Sequence, residues 1–115
     1  MDRYQSENDI EKVVRAFETC ETGKGDFKHR DHLAVANWYL HTMDKQADLD
    51  RMRTGLMRFL EHHGVGKGKY SASITVFWID RLAQRLSEFG AEVSLVERCN
   101  QIVESADFRG NPRNN

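Results

Sequence analysis

Two histidines stand three residues apart near the start of the segment 27–43. Read as a helix, this segment places His29 and His32 on the same face as Leu33, because residues three and four apart share a helix face. An imidazole can bind a transition metal or transfer a proton near neutral pH. The face expected to pack into the core therefore begins with two side chains that could do chemistry.

A third histidine lies at the matching end of the next predicted helix. His63 continues an apolar stripe that runs through residues 49–60, whereas its neighbour His62 points about 100° aside. An antiparallel hairpin of the two helices would bring His63 toward the first two histidines. Nearby carboxylates, Asp31 or Glu61, would then be placed to orient one of the imidazoles.

These histidines allow two interpretations. In one, they bind a divalent metal such as zinc, iron or nickel, as side chains on facing helices of a bundle can. In the other, they donate hydrogen bonds to backbone carbonyls and only close the core. The sequence contains no HExxH or CxxC spacing. The metal hypothesis therefore rests on the clustering of the histidines alone.

The surrounding pattern predicts about five helices and no strand. Apolar residues recur at helical spacing over residues 9–20, 27–43, 47–63, 72–89 and 92–106. The first half of the fourth helix is apolar almost all round, so this helix is expected to be the central one. The sequence thus predicts an all-α fold, a single compact bundle over residues 1–115 with frayed ends at 1–7 and 109–115.

Polar residues at the predicted helix starts indicate the caps. Ser6 or Asn8 is expected to cap the first helix and Asp26 the second. Ser71 is expected to cap the fourth helix. The glycine-rich loop 64–70 resembles a phosphate-binding loop only superficially, because it follows a helix and lacks the GxxxxGK[ST] order.

Composition excludes several classes of partner. A formal net charge of −1 gives no global attraction to nucleic acid, and the basic residues alternate with acidic ones, so nucleic acid is not expected as a partner. There is no long apolar run and no signal-peptide core, which predicts a cytoplasmic protein without a membrane segment. Cys20 and Cys99 fall on apolar stripes and are expected to be reduced core residues, a disulfide between them being the alternative.

Three segments together resemble a family of small bacterial all-helical proteins of unknown function. They lie within residues 27–79 and read Phe27-x-His29-x-x-His32-Leu33, Met52-Arg53-x-Gly55-Leu56, and Lys69-Tyr70 followed by Ile74-Thr75-x-x-Trp78. The resemblance implies a helical fold and a candidate pocket, but no reaction. The family pattern has Tyr-His-Glu-Thr where this chain has Tyr70-Ser71-Ala72-Ser73. The resemblance therefore implies a degenerate or altered family member that has lost two groups able to serve a metal.

The leading hypothesis is a small helical protein whose histidine-lined pocket binds a divalent metal or a small polar ligand. The metal ligands would be His29, His32 and His63. The residues lining the pocket around a ligand would be Tyr70, Ser71 and Trp78. The sequence assigns no reaction and leaves open whether the protein is an enzyme.

The alternative is a non-catalytic interaction or scaffold domain with structural histidines, for which a homodimer is one form. An apolar strip on the fifth helix, Leu95 and Ile102, lies outside the predicted core stripe and is the expected partner surface. The two hypotheses differ for His29→Ala. A binding role predicts loss of ligand with the fold intact, whereas a structural role predicts a loss of about 1–3 kcal/mol of stability.

Overall fold

The structure is a computed structural model that describes residues 3–23 and 25–109, with the side chain of Lys67 left out. It contains α1 (Glu7–Glu18), α2 (His29–Thr42), α3 (Lys45–His62), α4 (Ala72–Ser87) and α5 (Leu95–Glu104). Two 3-10 turns, η1 (Lys67–Lys69) and η2 (Ala106–Phe108), follow α3 and α5. The described residues contain no strand, which confirms the all-α prediction. Of the expected frayed ends, residues 1–2 and 110–115 lie outside the described residues, and Glu7 already belongs to α1.

Side-chain caps fix where the helices begin. Ser6 Oγ accepts from the amide of Asp9, and Ser71 Oγ accepts from that of Ile74, so both predicted caps are confirmed. The prediction of Asp26 as the cap of α2 was wrong. The helix begins two residues later than expected, and the backbone amide of Lys28 donates to Asp31 Oδ2 at 2.9 Å.

The central helix is α2, not α4 as the sequence suggested. Its buried residues are Leu33, Ala34, Val35, Ala36, Asn37 and Tyr39. It contacts all four other helices, and its two alanines allow neighbours to approach on several sides. In contrast, α4 buries only Ile79 and Leu82 and leaves Val76 and Phe77 about two-fifths exposed, at 41% and 42%. The apolar first half of α4 faces partly toward a cavity and partly toward solvent, so its composition was a poor guide to its position.

The buried face of α5 also differs from the prediction. Leu95 and Ile102, expected to form an exposed strip, are 5% and 0% exposed and belong to the core together with Cys99. These three side chains follow one another at spacings of four and three residues and form the core stripe of α5. The predicted stripe, in which Val93 and Val103 accompanied Cys99, is offset from it. The expected partner surface on α5 was therefore wrong.

Close packing of α1 on α3 closes one side of the core. Gly55 lies so near the ring of Phe17 that a Cβ atom there would be 2.6 Å from Phe17 Cε2. The Phe17 ring also stacks on Phe27, with ring centroids 4.7 Å apart. Gly55 is therefore required by close approach of the two helices rather than by backbone conformation.

Both cysteines are buried and free, as predicted. Cys20 occupies the position after the C-cap of α1 with a left-handed backbone conformation (φ 61°), where glycine is usual. Burial raises the pKa of the Cys99 thiol to about 11, so this thiol stays protonated at neutral pH. Among the described helices, none has the length and apolar character needed to cross a membrane.

Candidate functional site

A cavity of about 670 Å³ lies between α2, α3, η1 and α4. Most of its lining side chains are aliphatic or aromatic. The lining residues with a polar atom are His29, His32, Lys69, Tyr70, Ser71, Thr75 and Trp78. No aspartate or glutamate is found among the described residues that line it. The cavity thus joins a largely apolar interior to a small group of hydrogen-bonding side chains, which is the usual composition of a small-molecule site.

His29, the first residue of α2, is held by the C-terminal part of the chain. Its Nε2 lies 2.7 Å from the carbonyl oxygen of Phe108. Because a carbonyl can only accept, Nε2 carries the proton and Nδ1 of the neutral ring is an acceptor. The ring also packs edge-on against Trp78, with ring centroids 4.7 Å apart. One nitrogen of His29 therefore has a structural role, and its ring is fixed at the cavity wall.

His32, one helical turn further along α2, lines the same cavity but has no hydrogen-bond partner among the described residues. Its ring packs on that of Phe27, with centroids 4.3 Å apart. Burial, and to a smaller extent the nearby His29, lower the pKa of His32 to about 4. His32 is consequently neutral at pH 7 and presents one unused donor and one unused acceptor.

The N-terminal turn of α4 forms another part of the wall. Ser71 caps the helix and also carries a carbonyl that accepts from Thr75 Oγ1 at 3.0 Å. One turn further along, the Trp78 indole N–H is buried and has no hydrogen-bond partner. Among the described residues, Trp78 therefore has a buried hydrogen-bonding atom without a partner, whereas His32 is partly exposed and lacks only a protein partner.

His63 does not line this cavity. Its ring packs against Phe59 at a centroid distance of 4.5 Å, and its Nε2 is buried without a hydrogen-bond partner. Within residues 3–23 and 25–109, no group of three or more histidine, cysteine, aspartate or glutamate side chains is placed to hold a metal ion. The cavity brings together the other five predicted site residues: His29, His32, Tyr70, Ser71 and Trp78.

The two carboxylates expected to orient an imidazole have other surroundings. Asp31 accepts the backbone amide of Lys28 at the start of α2. Glu61 lies beside Arg58 and His62 at a separate groove on the exposed side of α3. Neither carboxylate has a hydrogen bond to a histidine among the described residues.

Sequence reasoning missed a buried acid outside the cavity. Asp48 is 0% exposed, and neither of its carboxyl oxygens has a hydrogen-bond partner within the described part of the chain. Burial raises the pKa of this carboxyl to about 8. Its spacing from Met52 and Phe59, both buried on α3, would have placed it on the core face of the helix.

Comparison of the chain with protein-family models, curated proteins and solved structures finds no match. The resemblance to a family of small bacterial helical proteins therefore stays a prediction.

Proposed function

We propose that the protein binds a small organic ligand in the cavity between α2, α3, η1 and α4. The ligand has a mainly apolar body and at least one hydrogen-bonding group, and His32 is its principal polar contact. The observation that supports this most directly is the neutral, unpartnered imidazole of His32 at the cavity wall. The ring nitrogens of His32 have no partner among the described residues, and the cavity around them is largely apolar, so a ligand group that bonds to His32 there gains free energy.

The other lining residues support the same proposal. Burial of the ligand body against the leucine, isoleucine and aromatic side chains would supply most of the affinity. The ring of His29 forms a rigid part of the cavity wall, because its hydrogen bond to Phe108 and its contact with Trp78 hold it in place. A preformed wall reduces the entropy lost on binding.

A divalent metal is the second candidate, because two imidazoles one turn apart line the same cavity. His29 would bind through Nδ1, since Nε2 donates to a carbonyl, and His32 through either nitrogen. Zinc, iron and nickel all accept imidazole ligands. The remaining ligands would have to be water or groups of a bound molecule.

The test is a calorimetric titration of the protein with 2-naphthylmethanol, a neutral probe with a flat apolar body and one hydroxyl group. We expect saturable one-to-one binding, weakened about fivefold in His32→Phe, which keeps an aromatic ring but loses one hydrogen bond. Leu56→Trp should abolish binding by filling the cavity. Met57→Trp is the matched control, because Met57 lines the groove on the opposite side of α3.

The same variants separate the competing roles. No binding to the wild type, with unchanged stability in His32→Phe, would overturn the proposal. A parallel titration with Zn²⁺ alone tests the metal. One outcome is that the wild type binds Zn²⁺ stoichiometrically and does not bind the naphthyl probe, and that Zn²⁺ binding is lost in His32→Phe. That result would show that the ligand is a metal and not an organic molecule.

A further inference from the structure

We infer that the ligand carries a single carboxylate, so that the cavity binds an aromatic or aliphatic monocarboxylic acid. This inference rests on the proposed function and specifies the chemical class of its ligand. It follows from the distribution of charge around the cavity, together with the hydrogen-bond donors that face it.

The described lining of the cavity carries basic side chains and no carboxylate. Its described lining residues include one ammonium group, Lys69, and two imidazoles, and they include no carboxylate. In the chain as a whole, acidic residues slightly outnumber lysine and arginine, 18 to 17. A lining without any acidic side chain therefore departs from the overall composition and favours an anion over a cation.

The N-terminus of α4, whose cap Ser71 lines the cavity, adds partial positive charge beside it. Ser71 Oγ accepts from the amide of Ile74, which leaves the amides of Ala72 and Ser73 without an intrahelical partner. Free amides at the start of a 16-residue helix carry partial positive charge. Lys69 and Ser71 both line the cavity, so its most electropositive part lies where η1 meets α4.

A second, independent observation comes from the opposite wall. His32 on α2 lines the cavity and has no hydrogen-bond partner among the described residues. A carboxylate has two oxygens and accepts several hydrogen bonds, so one such group can use donors from more than one side.

The apolar lining limits the charge of the ligand. The one ammonium among the described lining residues can balance a monoanion, whereas a phosphate dianion would leave uncompensated charge beside aliphatic side chains. The aromatic rings of Phe27, Phe59 and Trp78 match a flat or hydrocarbon body. The combination defines a monocarboxylic acid with an apolar body.

The experiment compares calorimetric titrations with 2-naphthoate, 2-naphthamide and 2-naphthylmethanol at pH 7.5, where a carboxylic acid is ionised. We expect 2-naphthoate to bind about tenfold more tightly than the two neutral probes. Lys69→Glu should weaken 2-naphthoate about tenfold and leave 2-naphthylmethanol within about twofold. Raising the salt concentration should weaken only the anionic probe.

Lys12→Glu is the matched control, because Lys12 is an exposed lysine of α1 that does not line the cavity. It changes the net charge of the protein by the same amount and should leave all three affinities unchanged. Equal affinity for the three probes would overturn the carboxylate while the proposed function stands. Binding of none of them would remove the proposed function itself.

Discussion

Tyr39 and His32, near the two ends of α2, differ in how completely their polar atoms are paired. Near the C-terminal end, the Tyr39 hydroxyl donates to Glu18 Oε2 at 2.5 Å. The guanidinium of Arg51 lies 3.5 Å from the same carboxylate and packs over the Tyr39 ring. Near the N-terminal end, His32 has no partner, although its ring lies against a cavity. The surroundings of Tyr39 are those of a structural residue, and the surroundings of His32 are those of a binding residue.

A second comparison concerns the two buried groups that titrate abnormally. The pKa of His32 falls from 6.5 to about 4, and that of Asp48 rises from 3.8 to about 8. Both groups are therefore largely neutral in the folded protein at pH 7. They affect stability in opposite directions as the pH changes, because one is a base and the other an acid.

The largest expected effect is that of Asp48→Leu. Between pH 3.8 and about 8 the unfolded chain releases a proton that folded Asp48 keeps, so the wild-type free energy of unfolding falls as pH rises. Leucine has a similar shape and no charge to bury. We expect it to raise the free energy of unfolding by about 3–5 kcal/mol at pH 8 and less at pH 4. Urea unfolding at the two pH values measures the difference.

Asp48→Asn serves as the control for this prediction. It removes the titration but keeps a buried polar group, so it should flatten the pH dependence with a smaller gain at pH 8. A wild-type protein equally stable at pH 5 and pH 8, or no gain from leucine, would contradict the assignment of an unpaired buried acid.

The next effect concerns acid stability and His32. Between pH 6.5 and about 4 the unfolded chain gains a proton that folded His32 does not take up, so this group lowers stability as pH falls. His32→Phe removes this dependence. We expect the free energy of unfolding of the variant to exceed that of the wild type by about 2–3 kcal/mol more at pH 4 than at pH 7. Urea unfolding of both proteins at pH 4 and pH 7 measures this gain, and its absence would show that His32 is accessible to protons in the fold.

The smallest expected effect is that of removing the hydrogen bond of Tyr39 near the C-terminal end of α2. Tyr39→Phe removes one hydrogen bond to a partly exposed carboxylate and leaves the aromatic ring in place. We expect a loss of about 1–2 kcal/mol at pH 7, measured by urea unfolding. Unchanged stability would mean that the hydrogen bond of Tyr39 contributes nothing to the free energy of unfolding. Tyr70→Phe, at the cavity, is the comparison and should be close to neutral without ligand.

Helical spacing predicted the number of helices and the pair of histidines that share one wall, and the polar residues at the helix starts identified the caps Ser6 and Ser71. Residues within a helix obey a fixed geometry, so His29, His32 and Leu33 could be placed together from sequence. Spacing also placed Ser71 and Trp78 on one side of α4, and both line the cavity.

The remaining features depend on which helices become neighbours, which spacing within one helix does not determine. The bond from His29 to Phe108 joins residues 79 positions apart, and no local pattern indicates it. For the same reason His63 was expected near the other histidines, whereas it packs on Phe59. The phase of α5 was misjudged because Val96 and Val103 are only partly buried, while Leu95 and Ile102 are in the core.

The most direct test of a binding role for His32 compares it with His29 in one set of samples. Unfolding free energy and affinity for 2-naphthylmethanol are measured at pH 7 for the wild type, His29→Ala and His32→Phe. We expect His29→Ala to lose about 1–3 kcal/mol of stability, because the Phe108 carbonyl loses its donor. His32→Phe should keep wild-type stability and lose about fivefold in affinity. A His32→Phe variant that is less stable than the wild type but binds the probe equally well would contradict the account.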